Sequence, residues 1–252
     1  MQKAARYLPL GRFSYFLMVF VNKVKNRIKS SRLAKYYYFG LSAYLSMNPK
    51  IKFYSQCNED KLMLKYLPEK IGTYIDVGAG QPVRGSNTYY FYKKGWTGHL
   101  FEPIQSNINL LNFFRKRDLK YRKLIGEINS KSEFYEFVPT EYSTTIKSIA
   151  EDLMAQGKKL RKVYEVESVR LSDTNIELSP LEPSFISIDV EGADLQVLNS
   201  IDWSRIKPRV VCIEEASEVK SMLIKEKMKL EGYSLVEDSE ISKIYLHESY
   251  KA

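Results

Sequence analysis

The sequence contains very little cysteine and histidine. Its 252 residues include two cysteines, Cys57 and Cys212, and two histidines, His99 and His247. Two isolated cysteines cannot form the disulfide framework of a small secreted domain, and so few Cys and His side chains argue against a zinc site. We therefore expect a cytoplasmic protein without a resident metal, with membrane association left open as an alternative.

Acidic residues are absent from the first part of the chain. Residues 1–58 contain eleven Lys or Arg and no Asp or Glu, whereas the rest of the chain holds 28 basic and 30 acidic residues. A chain of this length suffices for one large domain with an appendage. The sequence therefore predicts a basic, partly apolar arm over residues 1–50 and a nearly neutral domain over residues 51–252.

The arm also lacks an apolar run long enough to span a bilayer. Residues 13–21 (FSYFLMVFV) fall well short of the about 20 residues required, and charges follow them where a signal peptide would have its cleavage site. Two interpretations remain: residues 8–29 form a helix in the interface of an anionic membrane, or the run packs on the domain or on a second subunit. Residues 36–38 (YYY) could stack on bases, but no nucleic-acid-binding motif accompanies them, so no nucleic acid partner is expected.

Beyond residue 50, short apolar runs typical of strands alternate with helical patterns. This alternation predicts an α/β fold with a mostly parallel sheet covered by helices on both faces. The expected strands are residues 73–77, 98–101, 121–125, 132–138, 163–170, 185–189 and 209–213, followed by an antiparallel pair at 233–236 and 241–246. The expected helices are residues 58–67 with Asn58 as N-cap, 86–94, 104–115, 148–156, 193–199 and 217–231.

The first local signal of a site is the segment 74–80 (YIDVGAG), in which a buried strand runs into Asp76 and then into a glycine turn. Glycines let the backbone approach a ligand closely. A dinucleotide fingerprint would need a third glycine where Val83 stands, and a carboxylate before the glycines suits a cationic cofactor better than a pyrophosphate. An ordinary strand-to-helix turn is the alternative for this motif alone.

Two further acidic positions follow predicted strands. Glu102 comes 26 residues after Asp76, where an acid in this kind of sheet accepts hydrogen bonds from ribose hydroxyls. Asp189 and Glu191 follow the strand 185–189 and share one face of an extended chain, so both could converge on a substrate hydroxyl or a hard cation. Glu191 could instead cap the next helix. Glu214 ends its own predicted strand in the same way.

Together these residues closely resemble the FkbM family of S-adenosylmethionine-dependent methyltransferases. The resemblance covers residues 54–247 and rests on the motifs 55–60 (SQCNED), 74–79 (YIDVGA) with Pro82, 86–88 (SNT), 95–98 (GWTG), 101–103 (FEP) and 188–192 (IDVEG). It implies a class I methyltransferase (Rossmann-like) fold, with a seven-stranded, mostly parallel sheet and one antiparallel closing strand. It also implies S-adenosylmethionine as cofactor and O-methylation of sugars, glycans or related metabolites as the activity.

The resemblance also implies roles for individual residues. The residues that it implies for cofactor binding are Gln56, Asp76, Gly78, Ala79, Gly80, Asn87, Thr88, Glu102, Pro103 and Asp189. Asp189 is also a candidate for catalysis. Because the transfer must remove the acceptor's hydroxyl proton and histidines are few, we expect a carboxylate base. Asp189 is the first candidate, followed by Glu191, Asp60 and His99. A variant assisted by a divalent cation held by Asp189 and Glu191 is a less favoured alternative.

Alternatives remain for both the function and the charge of the acceptor. A catalytically silent, membrane-associated scaffold of the same fold, or a different nucleotide-cofactor enzyme, would compete with an O-methyltransferase acting at the cytoplasmic membrane face. Residues 143–145 (STT), with the basic residues Lys147, Lys158, Lys159, Arg161 and Lys162, suggest an anionic acceptor. A solvated basic loop is an equal interpretation of the same segment.

Overall fold

The computed structural model describes residues 33–68, 70–214 and 218–250. Its helices are α1 (Ala34–Met47), α2 (Glu59–Met63), α3 (Tyr89–Lys93), α4 (Gln105–Phe114), α5 (Lys147–Ala155), α6 (Asp194–Asn199) and α7 (Glu218–Leu230). Its strands are β1 (Thr73–Val77), β2 (Thr97–Phe101), β3 (Leu119–Tyr121), β4 (Leu124–Ile125), β5 (Ser130–Val138), β6 (Lys159–Val169), β7 (Ser184–Ile188), β8 (Val210–Glu214), β9 (Tyr233–Asp238) and β10 (Ser242–His247).

Seven strands form the main sheet, in the order β3-β2-β1-β7-β8-β10-β9. The pairs from β3 to β8 are parallel, and β10 is antiparallel to both of its neighbours. The predicted mostly parallel sheet with an antiparallel closing strand is therefore confirmed. The carboxyl ends of β1, β2, β7 and β8 meet at one edge, which is where open α/β sheets bind their ligands.

The core lies on both faces of this sheet. All five residues of β7 are buried, as expected for a central strand covered by helices on each side. One apolar cluster packs against α6 and α7, with Val197 and Met228 fully buried. The other packs against α3 and α4, with Phe91 and Leu111 buried. The central strands are thus held from both sides, and the loops at their carboxyl ends stand on a rigid base.

Three predicted strands are placed differently from what the sequence suggested. The single strand expected at 121–125 is split, because β3 pairs with β2 in the main sheet while β4 pairs with β6. The strands expected at 132–138 and 163–170 are β5 and β6, which pair antiparallel with each other. Together β4, β6 and β5 form a separate three-stranded sheet. Alternating apolar residues predicted the strands but carry no information on which sheet they join.

The predicted arm falls largely outside the described residues, including the helix expected at 8–29. The described part of the arm contains α1, whose Phe39 ring packs 4.8 Å from Phe113 and 5.3 Å from Phe114 of α4. Among the described helices, none has the length and apolar content that a bilayer crossing would take. Asn58 does precede α2, but its side chain makes no capping hydrogen bond. The proposed boundary at residue 50 stays a prediction.

Candidate active site

A cavity of about 710 Å³ opens at the carboxyl edge of the main sheet. The three-stranded sheet and the turn after β5 form its opposite wall, through residues such as Phe134 and Tyr142. Eight of the predicted site residues line it: Gln56, Gly78, Ala79, Gly80, Glu102, Pro103, Asp189 and Glu191. The structure thus brings together the glycine turn, the acid after β2 and the acids after β7.

The glycine turn is held tightly against the loop after β7. Gly78 has a φ of 83°, and a Cβ added there would lie 1.8 Å from the carbonyl oxygen of Asp189. Gly80 has a φ of 55°, yet a Cβ there would meet nothing closer than 3.7 Å. Gly78 is therefore required by packing, whereas Gly80 leaves bare backbone beside the cavity.

Glu102 is fixed beside this turn by two backbone donors. The N–H of Gly80 donates to its Oε2 at 2.8 Å, and the N–H of Ile104 donates to its Oε1 at 2.7 Å. Burial raises the pKa of Glu102 to about 7, although both hydrogen bonds oppose the shift. A carboxylate oxygen has more than one lone pair, so Glu102 can still accept from a ligand hydroxyl.

Asp76 lies beneath the turn rather than on the cavity wall. It is buried, and the Thr88 hydroxyl donates to its Oδ2 at 2.6 Å. Burial raises the pKa of Asp76 to about 6. Asn87 donates to the hydroxyl of Ser187 at 3.1 Å. Asp76, Asn87 and Thr88, all predicted to bind the cofactor, are not among the residues that line the cavity, and their role in cofactor binding stays a prediction.

A buried arginine that the sequence analysis missed stands behind Asp76. Arg115 is completely buried and pairs with Asp118 at 2.7 Å. Its Nη2 donates to the hydroxyls of Tyr74 at 2.8 Å and Thr88 at 2.9 Å. Thr88 thus joins Arg115 to Asp76. Because Arg115 lies in a basic run with Lys116 and Arg117, its sequence context gave no sign of burial.

Three acids from two neighbouring strand ends converge on the other side of the cavity. One carboxylate oxygen from each of Asp189, Glu191 and Glu214 lies within 4.8 Å of the others. Burial, followed by the nearby Glu214, raises the pKa of Asp189 well above its ordinary value. Burial and then Asp189 raise the pKa of Glu191 to about 8. The group is close enough to share protons and has the donor atoms that a hard cation accepts.

Glu191 holds an unusual backbone conformation. Its φ of 52° is in the left-handed region, which costs a residue other than glycine about 1–3 kcal/mol. Capping the next helix does not explain it, because the N-cap of α6 is Ala193 and no side-chain capping hydrogen bond is present there. The conformation turns the Glu191 side chain into the cavity lining.

Two predicted catalytic residues lie elsewhere. Asp60 is fully buried and accepts hydrogen bonds from Tyr54, Ser55 and Lys61 in its own loop, at 2.6–3.4 Å. His99 lines a different cavity, with its Nδ1 3.1 Å from the Tyr121 hydroxyl. Neither residue is among those that line the main cavity, so the geometry lends no support to these two assignments, and both stay predictions.

The basic segment after β5 is also largely neutralised. Arg161 and Lys162 lie 3.1 Å and 3.4 Å from the carboxylate of Glu136, which is buried. Lys158 lies over the Tyr142 ring at 4.1 Å, and Lys147 lies 3.9 Å from Glu151. None of these four basic side chains lines the cavity. The segment therefore gives little support to an anionic acceptor.

Two features define a class I methyltransferase fold. One is the strand order, in which β10 is the one reversed strand, and the other is the glycine turn that faces an acid after β2. The sequence profile of the Methyltransferase FkbM domain matches residues 76–234. The chain belongs to this family, as its motifs suggested. The match spans every strand from the end of β1 to the start of β9, including the small sheet.

Similar solved structures are methyltransferases at low identity. A Pyrococcus horikoshii protein assigned to the RNA methyltransferases has a TM-score of 0.42 and 12% identity, over 84% of this chain and 98% of that one. The precorrin-6y C5,15-methyltransferase of Geobacter metallireducens has a TM-score of 0.38 and 12% identity, over 74% and 86%. The 1,6-didemethyltoxoflavin-N1-methyltransferase of Burkholderia thailandensis, bound to S-adenosylhomocysteine, has a TM-score of 0.39 and 9% identity, over 96% and 91%. No curated protein sequence matches this chain.

S-adenosylmethionine is the cofactor of this methyltransferase. The residues present fit it in two respects. Bare backbone at Gly80 lies open beside the cavity, and carboxyl groups of Glu102, Asp189, Glu191 and Glu214 line a space that would receive a positively charged sulfur.

Proposed function

We propose that this chain transfers a methyl group from S-adenosylmethionine to a hydroxyl group of a sugar, a glycan or a related metabolite. The observation that carries the proposal is the convergence of Asp189, Glu191 and Glu214 in the cavity that the glycine turn and Glu102 also line. A hydroxyl nucleophile must lose its proton during the transfer, and these carboxyl groups are the proton acceptors in reach.

The cofactor half of the site is proposed to have two parts. Glu102 accepts hydrogen bonds from the ribose hydroxyls, and Gly78, Ala79 and Gly80 lie against the methionine part. Gln56 and Pro103 complete the lining. Asp76 and Thr88 act from beneath by holding the turn. When bound, S-adenosylmethionine supplies an electrophilic methyl group on a positively charged sulfur.

The base is proposed to be the Asp189–Glu214 pair. The two side chains share a hydrogen bond, and burial raises the pKa of both. Two buried carboxyl groups this close titrate as a unit, so one proton is shared and one negative charge remains. That charge accepts the hydroxyl proton, while Glu191 orients the hydroxyl or supplies a second acceptor.

The acceptor wall supports a sugar. The turn after β5 and its flanks line the cavity with Thr140 and Thr145, beside the ring of Tyr142. The hydroxyls of Ser143 and Thr144 are already hydrogen-bonded within the protein. Hydroxyl side chains both donate and accept, which matches a polyhydroxylated acceptor. An aromatic ring offers the apolar face of a sugar a surface for packing.

A first experiment separates this proposal from a silent scaffold and from another nucleotide-cofactor enzyme. Isothermal titration calorimetry should show binding of S-adenosylmethionine and S-adenosylhomocysteine, and weaker or no binding of NAD. Absence of binding of both sulfur compounds at millimolar concentration would overturn the proposal.

A second experiment tests the base. In an assay that follows labelled methyl groups onto a panel of sugar and glycan acceptors, Asp189→Asn should lose transfer while keeping affinity for S-adenosylhomocysteine. His99→Gln is the matched control, because His99 lies outside the cavity, and it should retain activity. Full activity of Asp189→Asn would exclude Asp189 as part of the base. Activity lost in EDTA and restored by Mg²⁺ would favour the cation-assisted alternative at the same acids.

The proposal includes a location at the cytoplasmic face of a membrane. It is supported by the eleven basic residues and the absence of acidic ones over residues 1–58, together with the apolar run 13–21. Deleting residues 1–30 should weaken binding to anionic vesicles and leave cofactor affinity unchanged, since every cofactor motif lies beyond residue 54. If the deletion instead converts a dimer to a monomer without affecting vesicle binding, the arm is an oligomerisation element.

A further inference from the structure

The outward side of α1 is apolar. Leu33, Tyr36, Gly40, Tyr44 and Met47 are spaced by three or four residues and so lie along one side of the helix. Tyr36, Tyr44 and Met47 are 64%, 62% and 81% exposed. We call Leu33, Tyr36, Tyr44 and Met47 the docking face. A surface helix normally carries charged residues on its outward side, whereas Lys35 is the sole charge within Ala34–Met47.

The opposite side of α1 is packed on the domain. Tyr38 and Ser42 are buried there. The amine of Lys93 donates to the carbonyl oxygen of Ser46 at 3.3 Å and to the hydroxyl of Tyr54 at 2.9 Å. One side of α1 is therefore fixed to the domain, and the docking face points away from it.

This anchoring also places α1 beside the cavity. The Tyr38 hydroxyl lies in the electrostatic field of Glu141 and Arg84, both of which line the cavity and pair with each other at 3.4 Å. Lys93 also joins Ser46 of α1 to Tyr54, which lines the cavity, so α1 lies near the cavity rim.

The charges that flank the docking face along the chain are all positive. Lys35, Lys50 and Lys52 flank it along the chain, and Lys116 lies 5.8 Å from the ring of Phe113, the neighbour of Phe39. No acidic residue precedes Glu59. An apolar face bordered by lysines is complementary to a surface that is apolar inside and anionic outside, which describes an anionic bilayer.

We propose that the docking face of α1 inserts into an anionic lipid bilayer and holds the rim of the cavity, at Arg84 and Glu141, against the membrane. This inference rests on the proposed function in one respect: an acceptor carried by the membrane would be the reason for holding the cavity there. The contribution assigned to α1 comes from the docking face, whose residues are distinct from residues 1–30.

A vesicle experiment on the full chain tests the docking face. Tyr36→Gln/Tyr44→Gln/Met47→Gln removes three exposed apolar side chains and keeps good helix formers. Met222→Gln/Leu223→Gln/Leu230→Gln on α7 is the matched control, with exposures of 66%, 47% and 83%. For vesicles of phosphatidylcholine with phosphatidylglycerol, the α1 variant should bind about tenfold or more weakly and the α7 variant as wild type.

A second experiment tests the orientation. Trp96 and Trp203 are buried, so an added tryptophan at the surface is the one that lipid can reach. Brominated phosphatidylcholine in the anionic vesicles should quench Tyr142→Trp, at the cavity rim, and leave Met222→Trp unquenched. Equal quenching of both positions, or quenching of Met222→Trp alone, would contradict the proposed orientation.

Other outcomes overturn the proposal in recognisable ways. Wild-type protein that ignores anionic vesicles at low salt refutes it, as does an α1 variant that binds like wild type. A wild-type dimer that the α1 variant converts to a monomer assigns the face to a second copy of this chain. S-adenosylhomocysteine titrations on the same samples keep the two proposals apart, because a chain that binds vesicles but no cofactor refutes only the methyltransferase site.

Discussion

Replacing Glu102 by glutamine tests the cofactor half of the site with the least change of shape. The two Glu102 oxygens accept from the backbone N–H groups of Gly80 and Ile104, at 2.8 Å and 2.7 Å. A glutamine keeps one acceptor but turns its amide N–H₂ toward the other donor. Glu102→Gln therefore loses a charge and weakens one of the two contacts that hold the turn.

The expected loss of affinity follows from the charge. A hydrogen bond to an ionised group contributes about 1.5–3 kcal/mol, which corresponds to about ten- to a hundredfold in dissociation constant. Because the pKa of Glu102 is about 7, about half of the unliganded protein carries the charge at pH 7 and about a tenth at pH 6. Wild-type affinity for S-adenosylhomocysteine should therefore fall about fivefold between pH 7 and pH 6. The affinity of Glu102→Gln should not show this fall.

The same shift has a consequence for stability. Burial raises the Glu102 pKa from an ordinary 4.5 to about 7, so between these values the folded chain binds more protons than the unfolded one. Its stability therefore falls as pH rises through this window, by about 3 kcal/mol in total from this group. Urea unfolding at pH 5 and pH 8 should show this fall in the wild type and a smaller fall in Glu102→Gln.

Calorimetry at pH 6, 7 and 8 measures the affinities, with Glu141→Gln as control. Glu141 also lines the cavity but is exposed at its rim, so its variant should keep the wild-type affinity and pH dependence. Wild-type affinity together with wild-type pH dependence in Glu102→Gln would refute a position of this carboxylate against the cofactor.

Three further predictions concern the surroundings of the site. Arg115→Met should lower the free energy of unfolding by about 3–5 kcal/mol in urea titrations, because it leaves the buried carboxylate of Asp118 without its charged partner. Arg115→Lys should recover part of that loss. Equal stability of the wild type and both variants would contradict this prediction. Gly78→Ala should lower the melting temperature far more than Gly80→Ala, since only the first Cβ would clash, 1.8 Å from a backbone oxygen; equal losses would contradict the close approach. Asp189→Asn should melt above the wild type at pH 8, because it removes a carboxyl group whose pKa is raised by burial and by Glu214; a lower melting temperature would show that the pair stabilises the fold.

Much of the fold could be predicted because its signals are local. The central strands β1, β7 and β8 each carry an apolar run, the glycine turn follows β1, and Glu102, Asp189 and Glu191 come directly after β2 and β7. Since the carboxyl ends of parallel strands meet at one edge, an acid at a strand end implies a position at the cavity. Glu102, Asp189 and Glu191 were placed correctly at the cavity for this reason.

The errors concern features that depend on contacts distant in sequence. Arg115 looked like one member of a solvated basic run, and its burial follows only from Tyr74 and Thr88, more than twenty residues upstream. Asp60 is an exception, because the groups that occupy both of its oxygens belong to Tyr54 and Ser55, which are close to it in the sequence. Residues 132–138 and 163–170 had strand periodicity, but their place in a second sheet follows from the antiparallel pairing of β5 with β6, about thirty residues apart in sequence.

The close grouping of acids in the cavity affects when the proposed base can accept a proton. In the unliganded protein, burial and the neighbouring acids raise the pKa values of Asp189, Glu191 and Glu214, which disfavours the ionised, proton-accepting form of each group. A positive charge within a few ångströms favours the ionised form of a carboxyl group and reverses that shift. The carboxyl groups therefore become effective proton acceptors when a cationic methyl donor lies beside them. On this reasoning the raised pKa values do not argue against a carboxylate base; they restrict its action to the state in which the donor is bound.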